Sequence, residues 1–194
     1  MKRPFTILDV GGYIGTAAIS FAAIEEASII SIEPSPLNYP ILCLNSLSYP
    51  RITPVNAAVG ASEGSAQVFA RHTGEWGHTL VLNPNDCATP SIIGTTRVET
   101  IESVISQYSR EHSPVIAIKI DIEGGEKDLL KEADRWFATT AVVLIELRDR
   151  IQEGCSAAWI SLCERHPSRI SILSGGEKHI SIDPILLKSF ISVS

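Results

Sequence analysis

Two stretches of this sequence follow the same order: an apolar run, an acid, glycines, then a segment of helical composition. The first is Ile7-Leu8-Asp9-Val10-Gly11-Gly12-Tyr13-Ile14-Gly15, followed by residues 16–27 with apolar positions at helical spacing. The second is the apolar run 115–121, ending in Lys119-Ile120-Asp121, then Ile122-Glu123-Gly124-Gly125-Glu126 and a predicted helix over 127–137. A strand that turns through glycine into a helix is the first half of a βαβ unit, and it commits the chain to crossovers and a parallel sheet. It also lets the backbone come close to a ligand, beside the unpaired N–H groups of a helix start.

The rest of the chain continues this alternation. Residues 28–32 read as a strand ending in Glu33, stopped by Pro34-Ser35-Pro36. Residues 37–47 read as a helix capped by Ser35 or Asn38, the latter placing Pro40 in the first turn. A third strand is expected over 52–59 and an alternating run over 65–70. Residues 71–91 show little periodicity and read as a long loop over the sheet edge, of the kind that forms lids. A short strand over 95–98 precedes a helix over 101–109, with Thr100 as its cap and Glu102 in its first turn. Residues 140–147 are apolar on both faces and belong inside a sheet covered on both sides. A helix over 152–165 and strands over 169–173 and 178–182 follow, the last two pairing as a hairpin; residues 184–194 are open between helix and frayed end. The expected architecture is α/β, a mostly parallel sheet with helices on both faces, and 194 residues suit one domain over 1–194.

The formal charge is −6, from 16 Lys and Arg against 22 Asp and Glu, without a basic cluster. That balance disfavours nucleic acid as a partner. Four cysteines, at 43, 87, 155 and 163, form no CxxC pair, which suits reduced thiols and a cytoplasmic location. Asp9 and the glycines interrupt the first apolar run, and no stretch reaches the length of a membrane span, so neither a signal segment nor a membrane anchor is expected. The histidines lack ligand spacing, and no metal is expected.

Four predicted strands end in an acid: Asp9, Glu33, Asp121 and Glu146. Ligands of open α/β sheets bind outside the carboxyl ends of the strands, so these acids are expected to converge on one crevice. The plain alternative is that strand ends meet water and carry acids for that reason. The first turn does not complete a dinucleotide fingerprint, because Val10 stands where the first glycine belongs. An acid just before the glycines opposes a pyrophosphate and suits a ligand with a cationic centre, such as the sulfonium and ammonium of S-adenosyl-L-methionine. Glu33 lies 24 positions after Asp9, near the spacing at which an acid takes ribose hydroxyls.

These blocks, Asp9-Val-Gly-Gly-Tyr-Ile-Gly15, Glu33-Pro-Ser-Pro36, Asn56-Ala-Ala-Val-Gly60, Thr100-Ile-Glu102 and Lys119-Ile-Asp-Ile-Glu-Gly-Gly-Glu126, resemble the FkbM family of S-adenosylmethionine-dependent methyltransferases. The resemblance implies a class I methyltransferase (Rossmann-like) fold, with a seven-stranded sheet whose last strand is antiparallel. It implies methyl transfer, usually to an oxygen of a sugar or secondary metabolite, hence a small-molecule or glycan acceptor. It places Asp9, Gly11, Gly12 and Gly15 on the methionine side of the cofactor, Glu33 at the ribose, and Asn56 and Ala57 near the adenine. Two positions depart from the family's usual pattern: Gly12-Tyr13 for Ala-Asn, and Thr100-Ile-Glu102 for Thr-Leu-Asp. Family members usually carry more sequence before the first strand, so a substrate-covering segment is expected to be absent.

Transfer to a hydroxyl calls for a group that takes its proton. Asp121 and Glu123 are the expected catalytic pair; Lys119 shares their face if the strand stays extended to Glu123. The structural alternative for this cluster is an ion pair with an acid at a helix start. Lys119, Glu146 and Trp76 are candidate substrate contacts, and His72 and His78 alternative bases. Two competing readings remain: an NAD-linked oxidoreductase, and a domain that binds cofactor or partner without turnover.

Overall fold

The computed structural model describes residues 3–71, 78–82, 90–111 and 113–191. Strand β1 (Phe5–Val10) leads through the first glycine turn into α1 (Thr16–Phe21), β2 (Ala27–Ile32), α2 (Asn38–Ser46) and β3 (Ile52–Val55). After α3 (Ile101–Tyr108) come β8 (Val115–Ile120), α4 (Glu126–Lys131), α5 (Asp134–Thr139), β9 (Val142–Glu146), α6 (Cys155–Arg165), β10 (Ile170–Leu173), β11 (Lys178–Ile182) and α7 (Pro184–Ile191). Seven of the strands form one sheet in the order β10-β11-β9-β8-β1-β2-β3. Its neighbours are parallel except at β11, the last strand, which runs antiparallel to both β9 and β10. The expected architecture and hairpin are therefore present.

Strand periodicity explains the two covered faces. Ile7, Ile29 and Ile52 face Ala18 and Ala22 of the α1 region on one side. Leu8, Val10, Ile30, Ile32, Ile118, Ile120, Val143 and Ile145 face the other, where α3, α4, α5 and α6 contribute Val104, Leu130, Phe137 and Trp159.

A second sheet departs from the expected layout. β4 (Ala58–Val59), β5 (Gly64–Ala70), β6 (His78–Thr79) and β7 (Ser91–Glu99) pair in the order β4-β7-β5-β6. The single strand expected over 52–59 is thus two strands in two sheets. The break is at Asn56, whose side-chain amide donates to the Glu33 carbonyl at 3.0 Å while its own carbonyl accepts from Arg97 Nε at 3.2 Å. The expected strand over 95–98 is longer and begins at Ser91, and part of the expected 71–91 loop is strand β6. The helix expected over 16–27 ends at Phe21, because turn bonds such as Ala27 N–H to the Ile24 carbonyl pull the chain back into β2. The helix expected over 127–137 is two short helices, broken where Glu132 leaves helical geometry. Thr100 caps α3 as expected, accepting from Ser103 N–H at 3.1 Å. Among the described residues no helix is long and apolar enough to cross a membrane.

Candidate active site

The parallel register sets a row of three polar side chains across the sheet: Ser31, Asp9 and Lys119 are direct neighbours on β2, β1 and β8. Asp9 is fully buried; it accepts from Ser31 Oγ at 2.8 Å and has the Lys119 ammonium at 3.2 Å. Lys119 also donates to the Gly11 carbonyl at 2.6 Å, so the pair fastens the glycine turn from below. Gly11 has φ +78°, and a Cβ there would stand 1.8 Å from the Asp121 carbonyl oxygen. The two glycine turns therefore touch backbone to backbone, which only glycine permits.

Above this row lies a cavity of about 250 Å³ at the carboxyl ends of β1, β2 and β8. Gly11, Tyr13, Glu33, Asn38, Ala57, Val59, His78, Asp121, Ile122, Glu123 and Arg148 contribute to its wall. Glu33 is held before any ligand arrives, accepting from Tyr13 N–H at 2.8 Å and Ser35 N–H at 2.9 Å. Burial pushes its carboxyl up to about 7, against the lowering effect of those amides. Ser35 in turn accepts from the N–H groups of Leu37 and Asn38 and pairs with His78 Nδ1 at 2.8 Å, tying β6 to the start of α2.

On the opposite wall, β8 ends at Ile120 and the chain bends, with Glu123 at φ +56°. Extension does not persist, which corrects the expectation that Lys119, Asp121 and Glu123 share one face. Lys119 turns under the first glycine turn, whereas Asp121 and Glu123 meet on a residue the sequence reading missed. Arg148 Nη2 donates to Asp121 Oδ1 at 3.2 Å and Glu123 Oε1 at 2.9 Å, its Nη1 donates to Glu177 at 2.9 Å, and the same Nη1 forms an ion pair with Glu146 at 2.9 Å. Burial raises the Glu123 carboxyl above its ordinary range, opposed by Arg148 and reinforced by Asp121. Beneath the turn, fully buried Glu126 accepts from Ile122 N–H at 3.2 Å and Gly124 N–H at 2.9 Å, and burial lifts it to about 7. Its position just after two glycines, at the head of a helix, was the available signal; for Arg148 it was a cation two residues past a buried strand's terminal acid.

Of the residues assigned to a cofactor from the sequence, Gly11, Glu33 and Ala57 line the cavity. Asp9, Gly12, Gly15 and Asn56 stand behind it as supports: a Cβ on Gly12 would meet Ser31 Oγ at 2.2 Å, and one on Gly15 would meet Leu42 at 2.9 Å. Asp121 and Glu123 line it too, while Lys119 and Glu146 border a neighbouring cavity that shares Asp121. Trp76 and His72 lie outside the described residues. Among the described residues no group of three or more metal-binding side chains is assembled.

The strand order, with its single antiparallel strand and a crevice where β1 and β2 wind away from β8, is that of the class I methyltransferase fold. The chain belongs to the methyltransferase FkbM domain family, which it matches over residues 9–185. That family implies S-adenosyl-L-methionine as cofactor. Solved structures with a similar fold include a "putative caffeoyl-CoA O-methyltransferase" from Staphylococcus aureus, with a TM-score of 0.54, 13% identity, and coverage of 92% of this chain and 75% of that one. Another is a "putative O-methyltransferase" from Klebsiella pneumoniae, at 0.53, 10%, 91% and 72%. A third is a "putative rRNA-methylase" from Clostridium thermocellum, at 0.54, 8%, 93% and 86%. No curated protein matches the sequence.

Proposed function

We propose that this protein transfers a methyl group from S-adenosyl-L-methionine to a hydroxyl of a small molecule or glycan. The observation that carries the reading is the distribution of acids around one cavity: Glu33 on one wall, Asp121 and Glu123 on the other, and the Gly11 backbone between. The residues fit the cofactor. Glu33 has both oxygens aimed by backbone amides and suits a ribose diol; Ala57, Val59 and Ile122 offer an apolar wall to adenine; the net negative lining suits a sulfonium. When bound, the cofactor supplies a methyl group on a positively charged sulfur.

The chain's own part is to hold the acceptor oxygen in line and take its proton. Glu123 is the proton acceptor in this reading, because burial raises its proton affinity, and Asp121 beside it orients the hydroxyl. His78, anchored through Nδ1, is the alternative base.

Calorimetric titration with S-adenosylhomocysteine tests the cofactor, with NAD as the control. Binding of the first and not the second is expected, and Glu33→Ala should weaken it by about 1.5–3 kcal/mol, the worth of a hydrogen bond to a charged group. No heat with S-adenosylhomocysteine overturns the proposal. Labelled methyl transfer to hydroxylated metabolites and glycans tests the reaction, and Glu123→Gln should lower turnover while leaving that affinity near wild type. Binding without transfer to any acceptor favours the non-catalytic reading.

A further inference from the structure

One guanidinium serves four carboxylates in this protein, and only two of them belong to the cavity. Arg148 is 9% exposed, and its Nη1 side is occupied by Glu146 at the end of β9 and by Glu177 in the turn between β10 and β11. Its Nη2 side is occupied by Asp121 and Glu123. A guanidinium is a rigid planar fork, so whatever fixes its Nη1 side fixes the plane in which Nη2 meets the other pair. Glu177 is itself held: Arg150 Nε donates to both of its oxygens, at 3.2 and 3.3 Å, and its carbonyl accepts from Leu147 N–H at 2.8 Å. The outer hairpin is thereby joined through one cation to the candidate base.

We propose that Arg148 is a positioning residue that sets how readily Glu123 takes a proton, and that the β10–β11 turn tunes it through Glu177, whose negative charge offsets that of the guanidinium. This deepens the methyltransferase reading and rests on it for its catalytic meaning. The charged groups that act on the Glu123 carboxyl are Arg148 and Arg150 after β9, Asp121 after β8 and Glu146 on β9; Glu177 meets it through Arg148, His78 and Glu33 line the same cavity, and Glu126 on α4, paired with Cys155 on α6, lies beneath the turn. The Thr79 hydroxyl donates to the Glu123 carbonyl at 2.8 Å and anchors its backbone from the second sheet. Among these, Arg148 is the cation in direct contact with the Glu123 carboxylate. An opposite charge at such a distance shifts a carboxyl by about 1–3 pH units.

The test is a carbon-13 NMR titration of the protein labelled in its glutamate carboxyls, the Glu123 signal being assigned by its loss in Glu123→Gln. In Arg148→Met the Glu123 signal should titrate at least about one pH unit higher than in wild type. In Glu177→Gln, which leaves the cavity wall intact, it should titrate lower, because the negative charge of Glu177 no longer offsets the positive charge of Arg148. Arg148→Lys keeps the charge without the fork and should fall between Arg148→Met and wild type. If Arg148→Met does not fold, Glu177→Gln decides. A Glu123 titration that is the same in wild type and Glu177→Gln, or that moves upward in Glu177→Gln, overturns the proposal. Measured in the same variants, the acid limb of the rate profile should follow the carboxyl titration; a titration that moves in protein without methyl transfer keeps the charge coupling and removes the catalytic reading.

Discussion

The two glycine turns begin from the same local pattern and end with opposite uses of their acids. After β1, Asp9 lies beneath the turn, fully buried and matched by Lys119 and Ser31, so its charge holds the backbone and does not reach the cavity. After β8, the acid beneath the turn is Glu126, which comes from the following helix and grips two turn amides, while Asp121 and Glu123 remain on the cavity wall. Each turn also places a side-chain-bearing residue in the left-handed region, Tyr13 at φ 50° and Glu123 at φ 56°. The difference lies in which partner reaches the acid first, and that partner comes from another strand or helix. A motif thus states that a turn will be braced and does not state which carboxylate does the bracing.

The comparison breaks most completely if the contact between the turns is disturbed. Gly11→Ala drives a Cβ into the Asp121 carbonyl at a positive φ, and a loss of about 4 kcal/mol in urea unfolding is expected. A loss below about 1 kcal/mol, the size of an ordinary surface change, would mean that the turns are not packed on each other as described. Next in size is Lys119→Met, which leaves the buried Asp9 charge unmatched and should cost about 3 kcal/mol; adding Asp9→Asn should restore part of it.

Glu126 sharpens the contrast through pH. Its folded value of about 7 exceeds its ordinary 4.5, so the folded state keeps a proton that the unfolded chain has released. Stability from this group is fully present below pH 4.5 and is lost as the pH rises through 7. Between these limits wild type should lose about 2–3 kcal/mol more than Glu126→Gln in unfolding experiments. The smallest effect on stability is expected from Tyr13→Gly, which relieves a left-handed residue and should change stability by about 1 kcal/mol or less.

Much of the main sheet was legible because its strands are apolar runs closed by an acid, proline or glycine, and because strand and helix alternate. The second sheet was not. Its β4 has two residues that continue an apolar run, and the Asn56 hydrogen bonds together with the pairing to β7, all made to residues distant in sequence, divert them from β3. Glu33 and Asp121 line the cavity, a placement that their position at strand ends makes legible. The pairing of Asp9 with Lys119 was not legible, since a sequence shows that a strand ends in charge but not that the neighbouring strand supplies the counter-charge in register. Arg148 gathers acids at positions 121, 123, 146 and 177, a clustering that exists only after the sheet has formed.

The clamp on Glu33 has a consequence for the thermodynamics of ligand capture. Freezing a free glutamate side chain costs roughly 1.5–2 kcal/mol of rotamer entropy, and here folding has already met that cost through the Tyr13 and Ser35 amides. A ligand that engages Glu33 therefore finds the carboxylate already oriented, at the expense of a protein that carries a buried acid reluctant to ionise. Affinity at this end of the cavity should consequently strengthen on going from mildly acidic to mildly alkaline solution, while the empty protein itself grows less stable over the same interval.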